Sequence, residues 1–392
     1  MTRAVPNHAT PANFIASHTE FSSLDVLRKP NVLLYCLTAD SAYFIQHNET
    51  ENLHDTRKHP IIHLSQTALA IKLIRMSHAA FVRFGNSVNV DEIKVVWLFH
   101  CLRCGSTAFS QVFNALPDWV AISEVMPLFC LFEMREQENQ WNYVNSSTFK
   151  SLTEAIVKCQ LKNMAEKQGV FIKTTLFDEH MAPVIRKVFP NHRLLFLYRN
   201  VKPASRSMYK AFMSMAGESM MALTLDPYTQ NHEGRRQRRM DTLGCLTSFI
   251  KNVLNRVRPQ SMVEWYTLQW SIRNHMIKHT QHKHGTQFYL LRYESLMESP
   301  SETLSKLFDF LEVKQTNLDV ALDSLKIDSQ EGIFMSRRER VSNPDWVRTE
   351  DGVARCNQIL RSFRLPEFDS DFVFKTWYNN CDESFTEALL CG

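Results

Sequence analysis

The stretch Leu98-Phe99-His100-Cys101-Leu102-Arg103-Cys104-Gly105-Ser106-Thr107-Ala108-Phe109 gathers groups that can hold an oxyanion. A continuous apolar run from Val95 enters it, and a helical stripe of Phe109, Val112, Phe113 and Leu116 leaves it. The pattern predicts a buried strand, a short loop and an amphipathic helix. Gly105 permits a tight turn, and the amides after it lie at the positive end of the helix dipole. Ser106 and Thr107 add hydroxyl donors, and Arg103 adds a cation. Such a loop is a site for a phosphate or a sulfate. Laid over GxxxxGK[ST], the first glycine becomes His100 and the lysine becomes Ser106. The clamp on the β- and γ-phosphates is therefore missing, which argues against ATP or GTP hydrolysis. The competing reading is an ordinary strand–turn–helix with a capping serine.

Cys101 and Cys104 form a CxxC inside this loop. No second pair lies nearby to complete four ligands, so zinc is not expected. A redox pair fits the CxxC better than zinc does, but the glycine and hydroxyls that follow suggest a different use. The chain has nine cysteines, an odd number, scattered through apolar runs. They read as reduced thiols of a reducing compartment.

Four further places carry chemistry. The run Leu195-Phe196-Leu197-Tyr198 ends at Arg199, and Ser207 follows about one turn into the next helix. Arginine there suits a phosphate, because its planar fork reaches two oxygens at once. A short strand over 119–122 precedes Glu124, and a strand over 170–172 precedes Lys173. The arginines at 235, 236, 238 and 239 form a basic cluster, either a solvated loop or a group that steers an anionic acceptor.

Buried strands around 95–99, 119–122, 170–172, 194–198 and 288–291 alternate with helical patterns over 181–189, 204–215 and 263–279. This alternation predicts an α/β chain with a mainly parallel central sheet flanked by helices. Ligands of such sheets lie beyond the carboxyl ends of the strands, where Arg103, Glu124, Lys173 and Arg199 all fall. A helix from Pro300 is announced by Ser299 as cap and Glu302 as the partner of a capping box. Before residue 90, residues 1–30 read as a loose arm, 32–37 and 42–46 as a hairpin, and 64–84 as one helix. The division expected is an amino-terminal extension over 1–90, the main domain over 91–375 and a tail over 376–392.

Arg103-Cys104-Gly105-Ser106-Thr107 resembles the 5′-phosphosulfate loop of sulfotransferases that use 3′-phosphoadenosine-5′-phosphosulfate (PAPS), in the form carried by carbohydrate and tyrosylprotein members. Small-molecule members have lysine where this chain has Arg103. The segment from Arg199 to Ser207 is similar to the family's 3′-phosphate motif, and Tyr293-Glu294-Ser295-Leu296 to its tyrosine–glutamate–x–leucine segment. The resemblance implies a three-layer P-loop-like fold. It implies that Arg103, Cys104, Gly105, Ser106 and Thr107 hold the phosphosulfate, and that Arg199 and Ser207 hold the 3′-phosphate. Arg337 and Arg338, shortly before Trp346, loosely match the late basic segment over that phosphate, although the segment's glycine is absent. Glu124 resembles the proposed base of the carbohydrate and tyrosylprotein enzymes. Lys173 would stabilise the transferring sulfuryl group. His180 and His192, nearest to the histidine base of the small-molecule members, are expected to be exposed.

The expected activity is sulfuryl transfer from PAPS, with PAP as product, to a small-molecule, carbohydrate or peptide acceptor, without a metal. The net charge of +4 gives no ground for nucleic-acid binding. No run of about 20 apolar residues predicts a membrane span, and the first thirty residues lack a secretory core. The triplets at Asn48 and Asn145 that match the glycosylation pattern therefore mean little, and a cytoplasmic location is expected. Carbohydrate and tyrosylprotein members normally carry a membrane anchor, so the compartment and the acceptor stay open. The rival readings are a non-catalytic nucleotide-binding relative of the fold and a P-loop kinase, which needs the missing lysine.

Overall fold

The computed structural model describes residues 9–90, 92–134, 146–175, 178–210, 259, 261–329 and 350–380. The chain divides into two compact units, one of Met1–Phe99, Phe109–Leu194 and Phe308–Leu325, the other of His100–Ala108, Leu195–Leu307 and Lys326–Gly392. Among the described residues no helix is long and apolar enough to cross a membrane.

In the first unit, β1 (Val32–Leu37) is buried along its whole length and pairs antiparallel with β2 (Ser41–Gln46). This is the hairpin expected there. The single helix expected over 64–84 does not form. The segment splits into α1 (Ile62–Leu69), β3 (Lys72–Ser77) and α2 (His78–Asn86), and β3 pairs antiparallel with β2. Pairing with β2 satisfies the backbone of 72–77 and overrides the helical spacing of its apolar residues. Ser77 then restarts the helix, its Oγ accepting the Ala80 amide at 3.3 Å.

The rest of the unit is parallel α/β. It holds β4 (Lys94–His100), α3 (Ser106–Ala115), β5 (Trp119–Ser123), α4 (Met126–Met134), α5 (Ser147–Leu161), β6 (Gly169–Lys173) and α6 (Ala182–Val188). β6 pairs in parallel with β4, from Lys94 opposite Gly169 to Leu98 opposite Lys173, and with β5, from Trp119 opposite Gly169 to Ser123 opposite Lys173. These registers bring the ends of β5 and β6 level, so Ser123 and Lys173 face the same end of the sheet. Phe113 of α3 stacks on Phe171 of β6 at 4.2 Å and meets Trp119 of β5 at 5.1 Å. Each such buried ring contributes roughly 2–3 kcal/mol, which fixes the direction in which α3 leaves its loop.

In the second unit, β7 (Arg193–Tyr198) pairs in parallel with β8 (Tyr289–Arg292). Residues 201–210 form α7. The long α8 (Met262–His284) is buried on nearly every side, with Ser261 capping the Glu264 amide at 3.2 Å and Gly285 ending it at φ 61°. α9 (Tyr293–Glu298), α12 (Glu350–Ser362) and α13 (Phe374–Asn380) also belong to this unit, whereas α11 (Leu318–Leu325) and the last turn of α10 (Pro300–Leu311) belong to the first. Trp270 of α8 meets Phe372 at 4.8 Å, and Phe374 meets Trp377 at 5.4 Å. The capping box at Ser299 is not made. The Ser299 amide already donates to Ser295 O at 3.0 Å, and Glu302 pairs instead with Lys306 at 2.6 Å. The strands β4 to β8 run in the sheet order β5-β6-β4-β7-β8, the mainly parallel sheet flanked by helices that the alternation predicted.

Candidate functional site

The second unit contains the whole turn between β4 and α3, His100–Ala108. β4 ends at His100, Leu102 and Arg103 form a two-residue turn, and α3 begins at Ser106. Gly105 has φ 88°, and a Cβ there would lie 2.6 Å from Cε2 of Tyr293. Only glycine fits this turn. Arg103 is itself left-handed at φ 59°, a conformation costing an L-residue about 1–2 kcal/mol and held by several contacts. Its Nε donates to Ser207 Oγ at 3.1 Å, and its carbonyl accepts from Nη1 of Arg199 at 3.1 Å. The Arg199 guanidinium lies 4.2 Å from the centre of the Tyr293 ring. The structure thus brings Gly105 and Arg199 against one ring and links Arg103 to Arg199 and Ser207, although these residues come from two separate stretches of chain and the ring from a third.

A feature absent from the sequence reading holds this loop from behind. Tyr266, Trp270 and Arg273 sit one above another along α8. The Tyr266 hydroxyl donates to Leu102 O, Trp270 Nε1 to Arg199 O at 2.9 Å, and Arg273 Nη1 to His100 O at 3.0 Å. The Cys101 amide is used by Leu197 O at 3.1 Å. A trans peptide points its N–H opposite to its C=O. Fixing the carbonyls of Leu102 and Arg103 therefore turns the amides of Arg103 and Cys104 away from Tyr266 and Arg199. The signal was the spacing of polar and aromatic residues at 266, 270 and 273 in a helix otherwise read only for its apolar stripe. Arg273 is 1% exposed, and a buried charge is kept only where it is bonded.

The turn after β7 is braced as well. The Asn200 amide donates to Glu294 Oε1 at 3.0 Å, and its side chain donates to Asp371 at 2.8 Å and accepts the Phe372 amide at 2.9 Å. Glu294 belongs to the Tyr293–Leu296 segment, so that segment supports the arginine turn. Ser106 of the loop is buried. Burial pushes the Cys104 thiol up, but its hydrogen bonds with the Cys101 thiol and His100 and the charge of Arg199 outweigh burial and hold it well below the ordinary thiol range. Burial, together with Cys104 as neighbour, holds the Cys101 thiol well above that range.

The first unit contains the other pair. Lys173 Nζ meets Glu124 Oε1 at 2.9 Å, with the lysine side chain 4% and the carboxylate 22% exposed. The Glu124 amide donates to Lys173 O at 2.8 Å, extending the β5–β6 ladder by one residue. Glu124 has φ 63°, so the chain turns sharply there and α4 starts two residues later. Ser123 Oγ donates to Pro60 O at 2.7 Å, and Thr174 Oγ1 to Leu98 O at 2.9 Å. These contacts fix both sides of the pair.

The two histidines are not exposed. His192 accepts the Trp97 indole N–H at 3.0 Å and stacks on Phe189 at 4.5 Å. Burial, aided by Arg186, pushes it down to about 3, so it is a neutral core acceptor. His180 is buried against Phe132 at 4.6 Å. The apolar neighbours Trp97, Phe189 and Phe132 come from distant parts of the sequence, which is why local polarity misled. Arg337, Arg338 and the arginines of 235–239 lie outside the described residues.

The sulfotransferase domain family matches residues 94–357, more than half of the chain. No curated protein sequence matches. Among solved structures, a sulfotransferase from Alicyclobacillus acidocaldarius aligns over 74% of this chain and 99% of its own, at 14% identity and a TM-score of 0.38. The mouse sulfotransferase SULT7A1 complexed with PAP aligns over 79% of this chain and 97% of its own, at 12% identity and a TM-score of 0.38.

Proposed function

The chain belongs to the sulfotransferase domain family, and from that premise we propose that it transfers a sulfuryl group from PAPS to a hydroxyl or amine acceptor. The observation that carries the reading is the convergence of Arg103, Arg199 and Ser207 on the Gly105 turn. The residues fit an anionic nucleotide. The loop amides lie at the start of a helix, and Nε of Arg199 is buried without a hydrogen-bond partner, a donor that a phosphate oxygen would satisfy.

In this reading Arg103, Cys104, Gly105, Ser106 and Thr107 hold the phosphosulfate, and Arg199 and Ser207 hold the 3′-phosphate. PAPS would supply the activated sulfuryl group. Arg103 neutralises charge on the departing phosphate, and the Tyr266, Trp270 and Arg273 contacts keep the loop from reorganising as that charge develops. Glu124 takes the acceptor's proton, and Lys173 holds the carboxylate in one orientation while supplying a cation at the strand ends. Burial and the indole contact make His192 a poor base. Arg337 and Arg338 complete the proposal at the 3′-phosphate. Acceptors remain the small-molecule, carbohydrate or peptide classes. The six described cysteines are buried free thiols, which supports a reducing, cytoplasmic setting.

The test is release of PAP from PAPS by the purified chain across a panel of hydroxyl and amine acceptors. Acceptor-dependent release that collapses in Glu124→Gln supports the enzyme. Tight PAP binding with no release on any acceptor favours the non-catalytic relative.

A further inference from the structure

Cys101 and Cys104 lie inside the anion loop, and sulfuryl transfer makes no use of their sulfurs. Cys101 follows the last residue of β4, and Leu102 and Arg103 make the turn. Cys104 stands two residues before α3. The two side chains hydrogen-bond each other, and both are fully buried. Residues that flank a two-residue turn have Cα atoms within about 7 Å, which overlaps the 4.4–6.8 Å span that a disulfide needs. His100, hydrogen-bonded to Cys104, and Arg199 add positive or polar groups beside the second sulfur. A strand running through CxxC into a helix start is the arrangement in which a thiolate is favoured by the helix amides.

We infer that Cys101 and Cys104 are a peroxide-reactive dithiol, which hydroperoxides close to an intramolecular disulfide, and that this modification disables the anion loop. The steps balance. The Cys104 thiolate attacks one oxygen of a hydroperoxide, giving a sulfenic acid, and the other oxygen leaves and takes a proton as an alcohol or water. The Cys101 sulfur then displaces that hydroxyl, forming the S–S bond, and its own proton leaves with the hydroxyl as water. Two electrons pass from the thiols to the peroxide. The roles run in this direction because Cys104 is the cysteine nearer the start of α3, where the helix amides favour a thiolate.

Bonding draws the sulfurs to about 2.05 Å, much closer than hydrogen-bonded thiols. Arg103 lies between the two cysteines, so the closure moves the residue whose Nε holds Ser207 and whose carbonyl holds Arg199. Both cysteines are fully buried, so the reaction requires a local opening of the loop against its α8 contacts. An anion in the loop disfavours the Cys104 thiolate, so bound PAP should slow the oxidation. The effect on PAP rests on the proposed donor site, whereas the disulfide itself does not.

The test uses the full chain, first reduced and desalted, then titrated with hydrogen peroxide. Thiol blocking and peptide mapping should find residues 101–104 two hydrogens lighter, reversibly with dithiothreitol, and PAP should slow the change. Oxidised protein should bind PAP at least about tenfold more weakly, the loss expected for one charge-assisted contact. In Cys101→Ser, dimedone should capture a sulfenic acid at Cys104. Thiols intact at 101 and 104 after other cysteines have oxidised, or a bridge from either to another cysteine, would overturn the dithiol. A mapped 101–104 bridge with unchanged PAP affinity would overturn the disabling step. If the reduced chain binds no PAP, the donor-site reading fails, and the map still decides the thiol chemistry.

Discussion

Replacing Gly105 by alanine perturbs one atom at the centre of the loop, and its cost can be worked from two local facts. The residue has φ 88°, and the new Cβ would lie 2.6 Å from Cε2 and 2.8 Å from Cδ2 of Tyr293. The left-handed backbone costs an L-residue about 1–2 kcal/mol. Overpacking against a ring adds about 1–3 kcal/mol. The ring does not yield easily, because the Arg199 guanidinium lies against it at 4.2 Å. Gly105→Ala should therefore destabilise the chain by roughly 2–5 kcal/mol. Urea unfolding of the native chain, Gly105→Ala, Tyr293→Ala and the double variant separates the two parts. Removing the ring should recover the steric part and leave the backbone part, a coupling of about 1–3 kcal/mol. A Gly105→Ala chain within about 0.5 kcal/mol of native, or additive single effects, would refute this picture of the loop.

Glu124→Gln should lower the turnover number by about 10²- to 10⁴-fold, the range for loss of a positioned base, with PAP affinity unchanged; equal turnover would remove Glu124 as base. Tyr266→Phe should cost about 1–3 kcal/mol by leaving the Leu102 carbonyl without its donor; urea midpoints check this, and a neutral effect would deny the brace. Acid should weaken the fold above the carboxylate range. Burial holds His54, His275 and His279 at about 4 and His192 at about 3, against an ordinary 6.5. The folded state keeps these rings neutral while the unfolded chain takes up protons below 6.5, so their contribution is whole above that pH and lost as pH falls toward 4 and 3. At pH 5 each should have cost about 2 kcal/mol; urea midpoints that do not fall between pH 7.5 and pH 5 would contradict the burial.

The strand, turn and helix over 94–115 were legible because their signals are local. An apolar run, a glycine and a helical stripe follow one another within residues 95–116 and dictate strand, turn and helix in that order. The strand that ends before Arg199 and the helix that carries Ser207 were legible for the same reason. The brace behind the loop was not, because Tyr266 and Arg273 reach carbonyls more than 160 residues away in sequence. Lys173 and Glu124 were read separately; what joins them is the register of β5 with β6, which places Ser123 opposite Lys173. The region 64–84 misled because its apolar residues keep a helical spacing, although 72–77 pairs with the edge of β2 that β1 leaves open. His192 misled because proline and asparagine beside it suggest a surface turn, while its partner Trp97 comes from the middle of β4.

The most direct measurement is thermal unfolding of the native chain and of Arg199→Ala, each with PAP and each with ATP and magnesium. Arg199→Ala removes a phosphate fork together with its contacts to the Arg103 carbonyl and the Tyr293 ring. The account predicts that PAP raises the native melting temperature, that ATP does so less, and that the PAP shift disappears in the variant. No shift with PAP, or a larger one with ATP and magnesium, would contradict the donor site and return a kinase-like use of the loop to first place.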